Sequence, residues 1–223
     1  VLAKADDPPI VRSRALGTAT AVAEWFRAQG KDVLLLADSL TRGIRARRDV
    51  ALALGERPAR RGFPASSFAA LPGLLERTGC DERGSITAVY TVLTENEDND
   101  PVAEEARSLL DGHIVLSSKL AKVGHWPAID VNRSVSRVMR SVVSAEQMSA
   151  AGRLRRLLGA YEEQEDLILM GAYRRGTSPD TDLAISRRAE IEAFLRQDEE
   201  NFSSLEATRS ALSYLTRGMD TPS

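Results

Sequence analysis

The sequence of 223 residues is long enough for one large domain, or for a medium domain with a smaller companion. Its formal net charge of −2 gives no strong field that would attract nucleic acid or anionic lipid. One cysteine and two histidines exclude an internal disulfide framework and disfavour a structural zinc site, and no apolar run is long enough to span a bilayer. We therefore expect a soluble, cytosolic protein.

The first part of the chain alternates strand and helix patterns. Val1 to Ala3 resembles the end of a strand, and the apolar spacing over 11–29 predicts an amphipathic helix that ends at Gly30. Residues 32–37 then form an almost unbroken apolar run, which predicts a strand of a parallel sheet covered on both faces. The order strand, helix, strand is a βαβ pattern.

Asp38 follows this apolar run directly. In an open α/β sheet, ligands bind at the carboxyl ends of the strands. An aspartate at that place can hold Mg²⁺ against the phosphates of a nucleotide. The alternative is a buried strand that ends in an aspartate capping the next helix, and the pattern alone favours this plainer interpretation.

An arginine-rich loop follows a predicted basic helix that begins at Arg42. Residues 55–64 contain two glycines, two prolines and three arginines, which is typical of a loop with a defined shape. The composition fits a functional loop and a solvated basic turn equally well. A further helix is predicted over 66–77.

A second buried strand is predicted over 84–94, where β-branched residues are frequent. It leads into a dense acidic loop, residues 95–100. We interpret Asp100 as the N-cap of a helix over 101–110, with Pro101 as its first residue.

A third short strand is predicted over 113–117, and the loop after it carries Trp126 before Pro127, which favours an extended backbone. A tryptophan held in this way can stack on a base, whereas a buried core tryptophan is the default alternative. From about residue 138 the strand patterns end. The helical patterns that replace them predict a small helical domain of about 80 residues.

Six motifs occur in a consistent order and spacing. They are Asp32-Val-Leu-Leu-Leu-Ala-Asp-Ser-Leu-Thr-Arg42, Gly55-Glu-Arg-Pro-Ala-Arg-Arg-Gly-Phe-Pro64, Gly84-Ser-Ile-Thr-Ala88, Asn99-Asp-Pro101, Leu110-Asp-Gly-His-Ile-Val-Leu-Ser117, and His125-Trp-Pro-Ala-Ile-Asp130 with Ser134-Val-Ser-Arg137. Together they resemble the ATPases of bacterial type III secretion and flagellar export. That family is similar in turn to the catalytic subunit of rotary F-type ATP synthases.

The resemblance implies an α/β fold over residues 1–139, the distal part of a RecA-like ATPase domain with a mostly parallel sheet. It also implies an all-α carboxyl-terminal domain over residues 140–223. The arginine loop of residues 57–61 and the acidic loop of residues 95–100 are then expected at subunit interfaces or facing the pore of a ring.

The resemblance also implies roles for four residues. Asp38 matches the Walker B aspartate, which holds Mg²⁺ beneath the β- and γ-phosphates. Arg137 matches the arginine finger, which reaches the nucleotide of the neighbouring subunit. Trp126 lies where relatives carry an aromatic residue, commonly tyrosine, that stacks on adenine. Arg42 can reach the phosphates or the subunit interface, and a structural ion pair is an equal alternative.

The family's phosphate-binding loop, Gly-x-x-x-x-Gly-Lys-[Ser/Thr], does not occur in this sequence. The only Gly-Lys pair, Gly30-Lys31, lacks the preceding glycine and is followed by Asp32. The family's catalytic glutamate also lies upstream of the matching segment. We therefore expect a fragment, produced by truncation, proteolysis or unrecorded residues, that lacks the amino-terminal barrel, the phosphate-binding loop and the general base. Such a chain is expected to be inactive alone.

The function implied for the parent protein is ATP hydrolysis coupled to chaperone release and effector unfolding at a type III secretion apparatus. ATP and Mg²⁺ are the implied cofactors. The implied partners are a homohexamer, chaperone–effector complexes, and the stator and stalk proteins of the apparatus, which holds the ATPase at the cytoplasmic base of the inner membrane.

Three alternatives remain open. The chain alone can be an interaction module without activity, and the parent can be the flagellar paralogue. A related hexameric motor acting on RNA, or a rotary ATPase subunit, is the third, although the lack of a basic stripe argues against nucleic acid.

Overall fold

The computed structural model describes residues 1–94 and 100–217, which form five strands and ten helices in two compact units, Val1–Leu110 and Asp111–Ser223. The elements of the first unit are α1 (Pro9–Arg27), β1 (Asp32–Ala37), α2 (Leu40–Ala53), α3 (Ala65–Leu75), β2 (Gly79–Cys80), β3 (Ser85–Tyr90) and α4 (Pro101–Leu109). Those of the second are β4 (Gly112–Leu116), α5 (Ser118–Lys122), β5 (Ile129–Ser136), α6 (Met139–Val142), α7 (Ala145–Leu169), α8 (Pro179–Ser186), α9 (Arg188–Leu195) and α10 (Leu205–Leu215).

The first unit contains a three-stranded sheet in the order β1-β3-β2. Strands β1 and β3 are parallel over six residue pairs, from Asp32 opposite Ser85 to Ala37 opposite Tyr90. The two-residue strand β2 is antiparallel to β3. The parallel register places the carboxyl ends of β1 and β3 side by side, which defines one edge where polar side chains can meet.

The amino-terminal strand predicted at Val1 to Ala3 is wrong. Both Val1 and Leu2 are exposed, and no described strand pairs with them. The parallel connection runs instead from β1 through α2, α3 and β2 to β3.

The helices α2, α3 and α4 enclose the apolar core of the first unit. Its buried members are Leu40, Ile44, Phe63, Leu71, Leu74, Leu75, Val102 and Ala106. The predicted cap of α4 is confirmed, because the Asp100 carboxylate accepts hydrogen bonds from the backbone N–H groups of Val102 and Ala103, at 2.8 and 3.1 Å. Pro101 is the first helical residue, where its missing N–H is not needed.

Strand β1 is covered on one face only, which corrects the prediction of a strand buried on both faces. Leu34 and Leu36 are 63% and 68% exposed. Successive side chains of a strand point to opposite faces. Val33 and Leu35 are half-buried on the opposite face, so within the described residues one apolar face of β1 stays open.

The second unit begins with the antiparallel pair β4–β5, which is irregular between His113 and Val115. Every described element beyond residue 138 is a helix, as the sequence predicted, and the apolar cluster of these helices includes Leu157 and Ile191. None of the described helices has both the length and the apolar character needed to cross a membrane.

The sheet composition differs from the prediction of a mostly parallel sheet. The described strands form two small sheets, with one parallel pairing and two antiparallel pairings. The parallel pairing of β1 with β3 agrees with the prediction from the apolar run, whereas the antiparallel pairings of β2 with β3 and of β4 with β5 depend on chain connections that no local pattern specifies. The predicted domain boundary between residues 139 and 140 stays a prediction.

Candidate functional site

Asp38 is the first residue after β1 and is exposed. The peptide bond between Asp38 and Ser39 is cis. Ser39, and not Asp38, caps α2, because its hydroxyl accepts a hydrogen bond from the backbone N–H of Arg42 at 3.3 Å. The alternative that Asp38 serves as the helix cap is therefore wrong, and its carboxylate is available for another role.

The carboxylate of Asp38 is oriented by a residue that the sequence did not single out. The Thr91 hydroxyl donates a hydrogen bond of 2.7 Å to Asp38 Oδ1. Thr91 follows the end of β3, and the parallel register brings it beside the end of β1. Since the two residues are 53 positions apart, only the strand pairing reveals the contact.

One exposed carboxylate at this edge fits a magnesium site of the nucleotide-dependent kind. Mg²⁺ in such sites is bound through one or two carboxylates, with phosphate oxygens and water as the other ligands. In the described part of the chain, no group of three or more histidine, cysteine, aspartate or glutamate side chains is arranged to hold a metal ion. Asp38 offers one exposed carboxylate, which can fill one ligand position of such a cation.

Arg42 lies in the first turn of α2 and is exposed. Among the described residues its side chain makes no ion pair, so the structural ion pair left open by the sequence is not found there. Arg42 and Asp38 both belong to the first unit.

Trp126 is 58% exposed, so the alternative of a buried core tryptophan is wrong. The bond from Trp126 to Pro127 is cis. The Trp126 carbonyl accepts a hydrogen bond of 2.9 Å from the backbone N–H of Gln197, which follows α9. This hydrogen bond therefore fixes the backbone that carries the exposed Trp126 ring.

His125, next to Trp126, is buried at 6% exposure. Its Nδ1 lies 3.5 Å from Nε of Arg196. Burial lowers the pKa of His125 below its ordinary value of 6.5, and the positive charges of Arg196 and Arg188 lower it further, against an opposing effect of Glu192. The imidazole is consequently held neutral near pH 7.

Arg137 directly follows β5 and is exposed. Its backbone N–H donates a 2.7 Å hydrogen bond to the carbonyl of Asp111, just before β4. The strand pair thus fixes the main chain from which the guanidinium projects. Arg137 and Trp126 both belong to the second unit.

The arginine loop is bound to α4 through ion pairs. Arg60 pairs with both Glu104 and Glu105, and Arg61 lies 3.9 Å from Glu104. The acidic loop lies outside the described residues except for Asp100. Its predicted place in a ring, like that of residues 57–61, stays a prediction.

Two cavities in the described parts of the chain do not coincide with the predicted site. One, of about 150 Å³, lies in the second unit beside His125, Tyr161 and Arg188. The other, of about 350 Å³, lies between α1 and α2 in the first unit. None of Asp38, Arg42, Trp126 and Arg137 lines either cavity.

Comparison with known families defines the class of protein. Residues 1–136 match the nucleotide-binding domain of the ATP synthase alpha/beta family, and residues 143–214 match the T3SS EscN ATPase C-terminal domain. The chain therefore matches these two family domains in succession, which agrees with the α/β fold and the helical region described above.

Similarity to individual proteins shows to which group within this family the chain is related. The chain is 51% identical to a "Flagellum-specific ATP synthase" of Pseudomonas aeruginosa, over 98% of this chain and 49% of the relative. It is 55% identical to the "SPI-2 type 3 secretion system ATPase" of Salmonella typhimurium, over 90% of this chain and 46% of the relative. The assembled ATPase EscN of enteropathogenic E. coli superimposes with a TM-score of 0.91 at 48% identity, covering 96% of this chain and 52% of EscN.

The chain belongs to the ATP synthase alpha/beta family, within the group of type III secretion and flagellar ATPases. It spans about half the length of the curated relatives that it matches.

Proposed function

We propose that this chain supplies part of the ATP site of a type III secretion or flagellar export ATPase. The observation that carries the proposal is the Asp38 carboxylate, which is exposed at the carboxyl end of β1 and oriented by Thr91 at 2.7 Å. Asp38 is the Walker B residue in this proposal and provides one carboxylate ligand. A bound Mg²⁺ neutralises charge on the β- and γ-phosphates.

Arg137 is proposed as the arginine finger. A guanidinium is charged at every physiological pH and can donate two parallel hydrogen bonds to phosphoryl oxygens. Its exposed position after β5 supports a reach toward the nucleotide of a neighbouring subunit. Such a residue contributes roughly 10³–10⁵ to the rate when it acts in trans. A repeated head-to-tail contact, in which each subunit reaches the site of its neighbour, can close into a ring, and we propose a homohexamer.

Trp126 and Arg42 are proposed as nucleotide contacts. The exposed face of Trp126 suits stacking on adenine, because its indole ring presents an aromatic π face. Arg42 is exposed in the first turn of α2, shortly after Asp38 in the chain, which suits the phosphate region or a subunit interface.

The proposed work of the parent protein is the release of chaperones and the unfolding of effectors, driven by ATP hydrolysis. One related structure contains EscN in complex with its central stalk EscO, which supports a stalk protein as a partner of the whole ATPase, and we propose stator proteins as further partners. The proposed location is the cytoplasmic face of the inner membrane, at the base of the apparatus. We assign residues 1–139 to the ATPase domain and 140–223 to the carboxyl-terminal domain.

Because the phosphate-binding motif is missing from the sequence, we propose that this chain alone is an interaction module without turnover. The purified 223-residue chain is expected to release phosphate from ATP no faster than buffer. Turnover above background that disappears in Asp38→Ala would overturn this proposal.

The assignment of Arg137 as the arginine finger is tested in a full-length ATPase that contains this segment. Arg137→Ala is expected to abolish steady-state ATP hydrolysis while leaving nucleotide binding, measured by fluorescence titration, unchanged. Arg140→Ala is a suitable control, because Arg140 is also exposed and lies nearby in the chain, in α6. Wild-type turnover in Arg137→Ala would contradict the assignment.

A further inference from the structure

We propose that Thr91 is a positioning residue, which holds the Asp38 carboxylate in the orientation that receives the divalent cation. This inference rests on the proposed role of Asp38 as the Walker B aspartate. The hydrogen bonds from which it is drawn lie within the first unit and are observed whatever the role of Asp38.

Three hydrogen bonds join Thr91 to the segment around Asp38. Its backbone N–H donates to the Ala37 carbonyl at 3.0 Å, and its carbonyl accepts from the Leu40 N–H at 2.9 Å. Its hydroxyl donates to Asp38 Oδ1 at 2.7 Å. Thr91 therefore contacts the residue before Asp38, Asp38 itself, and the start of α2.

A second threonine holds the same two segments together. The Thr41 hydroxyl, fully buried, accepts from the Leu93 N–H at 2.9 Å and lies 3.2 Å from the Leu93 carbonyl. This pair fixes the chain beyond β3 against α2. As a result, Thr91 is held from both sides along the backbone, and its hydroxyl has a defined position beside the carboxylate.

The hydrogen bond of the Thr91 hydroxyl and the two hydrogen bonds of its backbone have different effects. The backbone bonds place the end of β1, and a valine at position 91 would keep them. The hydroxyl bond acts on the carboxylate alone, since a donor to Oδ1 restricts the rotation of the group and leaves Oδ2 directed elsewhere. Hydrogen bonds that orient a metal ligand in this way typically contribute about 10–100-fold to metal affinity.

The inference is tested with Thr91→Val in a full-length ATPase that contains this segment. Valine has nearly the same shape and lacks only the hydrogen-bonding hydroxyl. The probe is Mn²⁺, whose binding in the presence of ADP is followed by electron paramagnetic resonance, and Mg²⁺ dependence of hydrolysis is the second measurement. We expect Thr91→Val to weaken Mn²⁺ binding by about 10–100-fold and Thr91→Ser to restore it.

Thr87→Val is the matched control. Thr87 lies on β3 and is exposed, and it makes no hydrogen bond through its side chain within the described part of the protein. The same substitution there is expected to leave Mn²⁺ binding unchanged. If Thr91→Val does not fold, Thr91→Ala is measured in its place.

The outcomes separate this inference from the function on which it rests. Loss of Mn²⁺ binding in Asp38→Ala together with wild-type binding in Thr91→Val would overturn the inference alone. Wild-type Mn²⁺ binding in Asp38→Ala would overturn the proposed role of Asp38, and the inference with it. Equal weakening in Thr87→Val and Thr91→Val would also count against a specific role of Thr91.

Discussion

The Nδ1 atom of His125 lies 3.5 Å from Nε of Arg196, although the two residues are 71 positions apart. A second contact runs beside it, from the Gln197 N–H to the Trp126 carbonyl. These two contacts join the loop that carries Trp126 to the segment just after α9. The loop with the exposed aromatic ring is therefore anchored within the helical part of its own unit.

The first prediction concerns pH. The lowered pKa of His125 means that the unfolded chain binds more protons than the folded chain once the pH falls below about 6.5. The contribution to stability is complete above that value and is lost as the pH falls through the pKa of the folded state. Thermal unfolding of the 223-residue chain between pH 8 and 5.5 is expected to show a falling midpoint at the acid end.

The groups that face His125 are Arg196, Arg188 and Glu192. His125→Gln is expected to flatten the fall in the unfolding midpoint, because glutamine does not titrate. His113→Gln is the control, since it removes the other histidine of the chain. A midpoint that falls equally in His125→Gln and in the unchanged chain would refute the prediction.

The second prediction concerns nucleotide binding by Trp126. Stacking of a base on an aromatic side chain contributes about 1–3 kcal/mol, so Trp126→Ala in a full-length ATPase is expected to weaken ADP binding by roughly 5–150-fold. Trp126→Tyr should restore most of the affinity, because the π face is kept. Isothermal titration calorimetry measures both.

Trp25 provides the control for this experiment, because it is the second tryptophan of the chain and is also exposed. Quenching of tryptophan fluorescence by bound nucleotide is expected to persist in Trp25→Phe and to vanish in Trp126→Phe. The reverse result would exclude Trp126 as the stacking residue.

The third prediction concerns the strand pair that carries Arg137. A Cβ atom on Gly112 would lie 2.6 Å from the Val135 carbonyl oxygen and 3.3 Å from Ser136 Cα. Gly112→Ala therefore forces the β4 and β5 backbones apart and is expected to destabilise the chain by about 1–3 kcal/mol. Urea denaturation measures the change.

Gly152 is the matched control in this series. It lies inside α7, is exposed, and has open space where a Cβ atom would be added. Gly152→Ala is expected to stabilise the chain by about 0.5–1 kcal/mol, because alanine has less backbone freedom to lose. A chain with Gly112→Ala that is as stable as one with Gly152→Ala would contradict the steric explanation.

The fourth prediction concerns the cap of α4. Asp100 satisfies two N–H groups of the first helical turn, so Asp100→Ala is expected to destabilise the chain by about 0.5–2 kcal/mol. Asp100→Asn keeps an acceptor oxygen and should recover most of this loss. If denaturation shows Asp100→Asn to be as unstable as Asp100→Ala, the carboxylate charge rather than its hydrogen bonds stabilises the helix.

Elements with a continuous local signal were predictable from the sequence. The apolar run after Asp32 is observed as β1 within one or two residues of the expected bounds, and Asp100-Pro101 opens α4 as predicted. Both depend on neighbouring residues, whose backbone preferences are local. The family was recognisable for a related reason, since its motifs are short segments that can be read one at a time.

The N-cap residue of α2 could not be predicted from the local sequence alone. Asp38 and Ser39 are both favoured N-cap residues, so their order in the chain does not select one of them. The backbone geometry assigns the cap to Ser39 and leaves the Asp38 carboxylate exposed. That choice decides whether the aspartate is a structural residue or a candidate ligand.

The sequence by itself predicted β1, α4, the helical region beyond residue 138, the α/β class of the first unit and the family, and it suggested the four residues proposed for the nucleotide site. Only the tertiary structure decided the antiparallel direction of β4 and β5, the open face of β1, and the contact of Thr91 with Asp38. The physical reason is that local patterns set backbone preferences over a few residues. Contacts across 53 or 71 positions depend instead on strand register and packing, which arise only when the chain is folded.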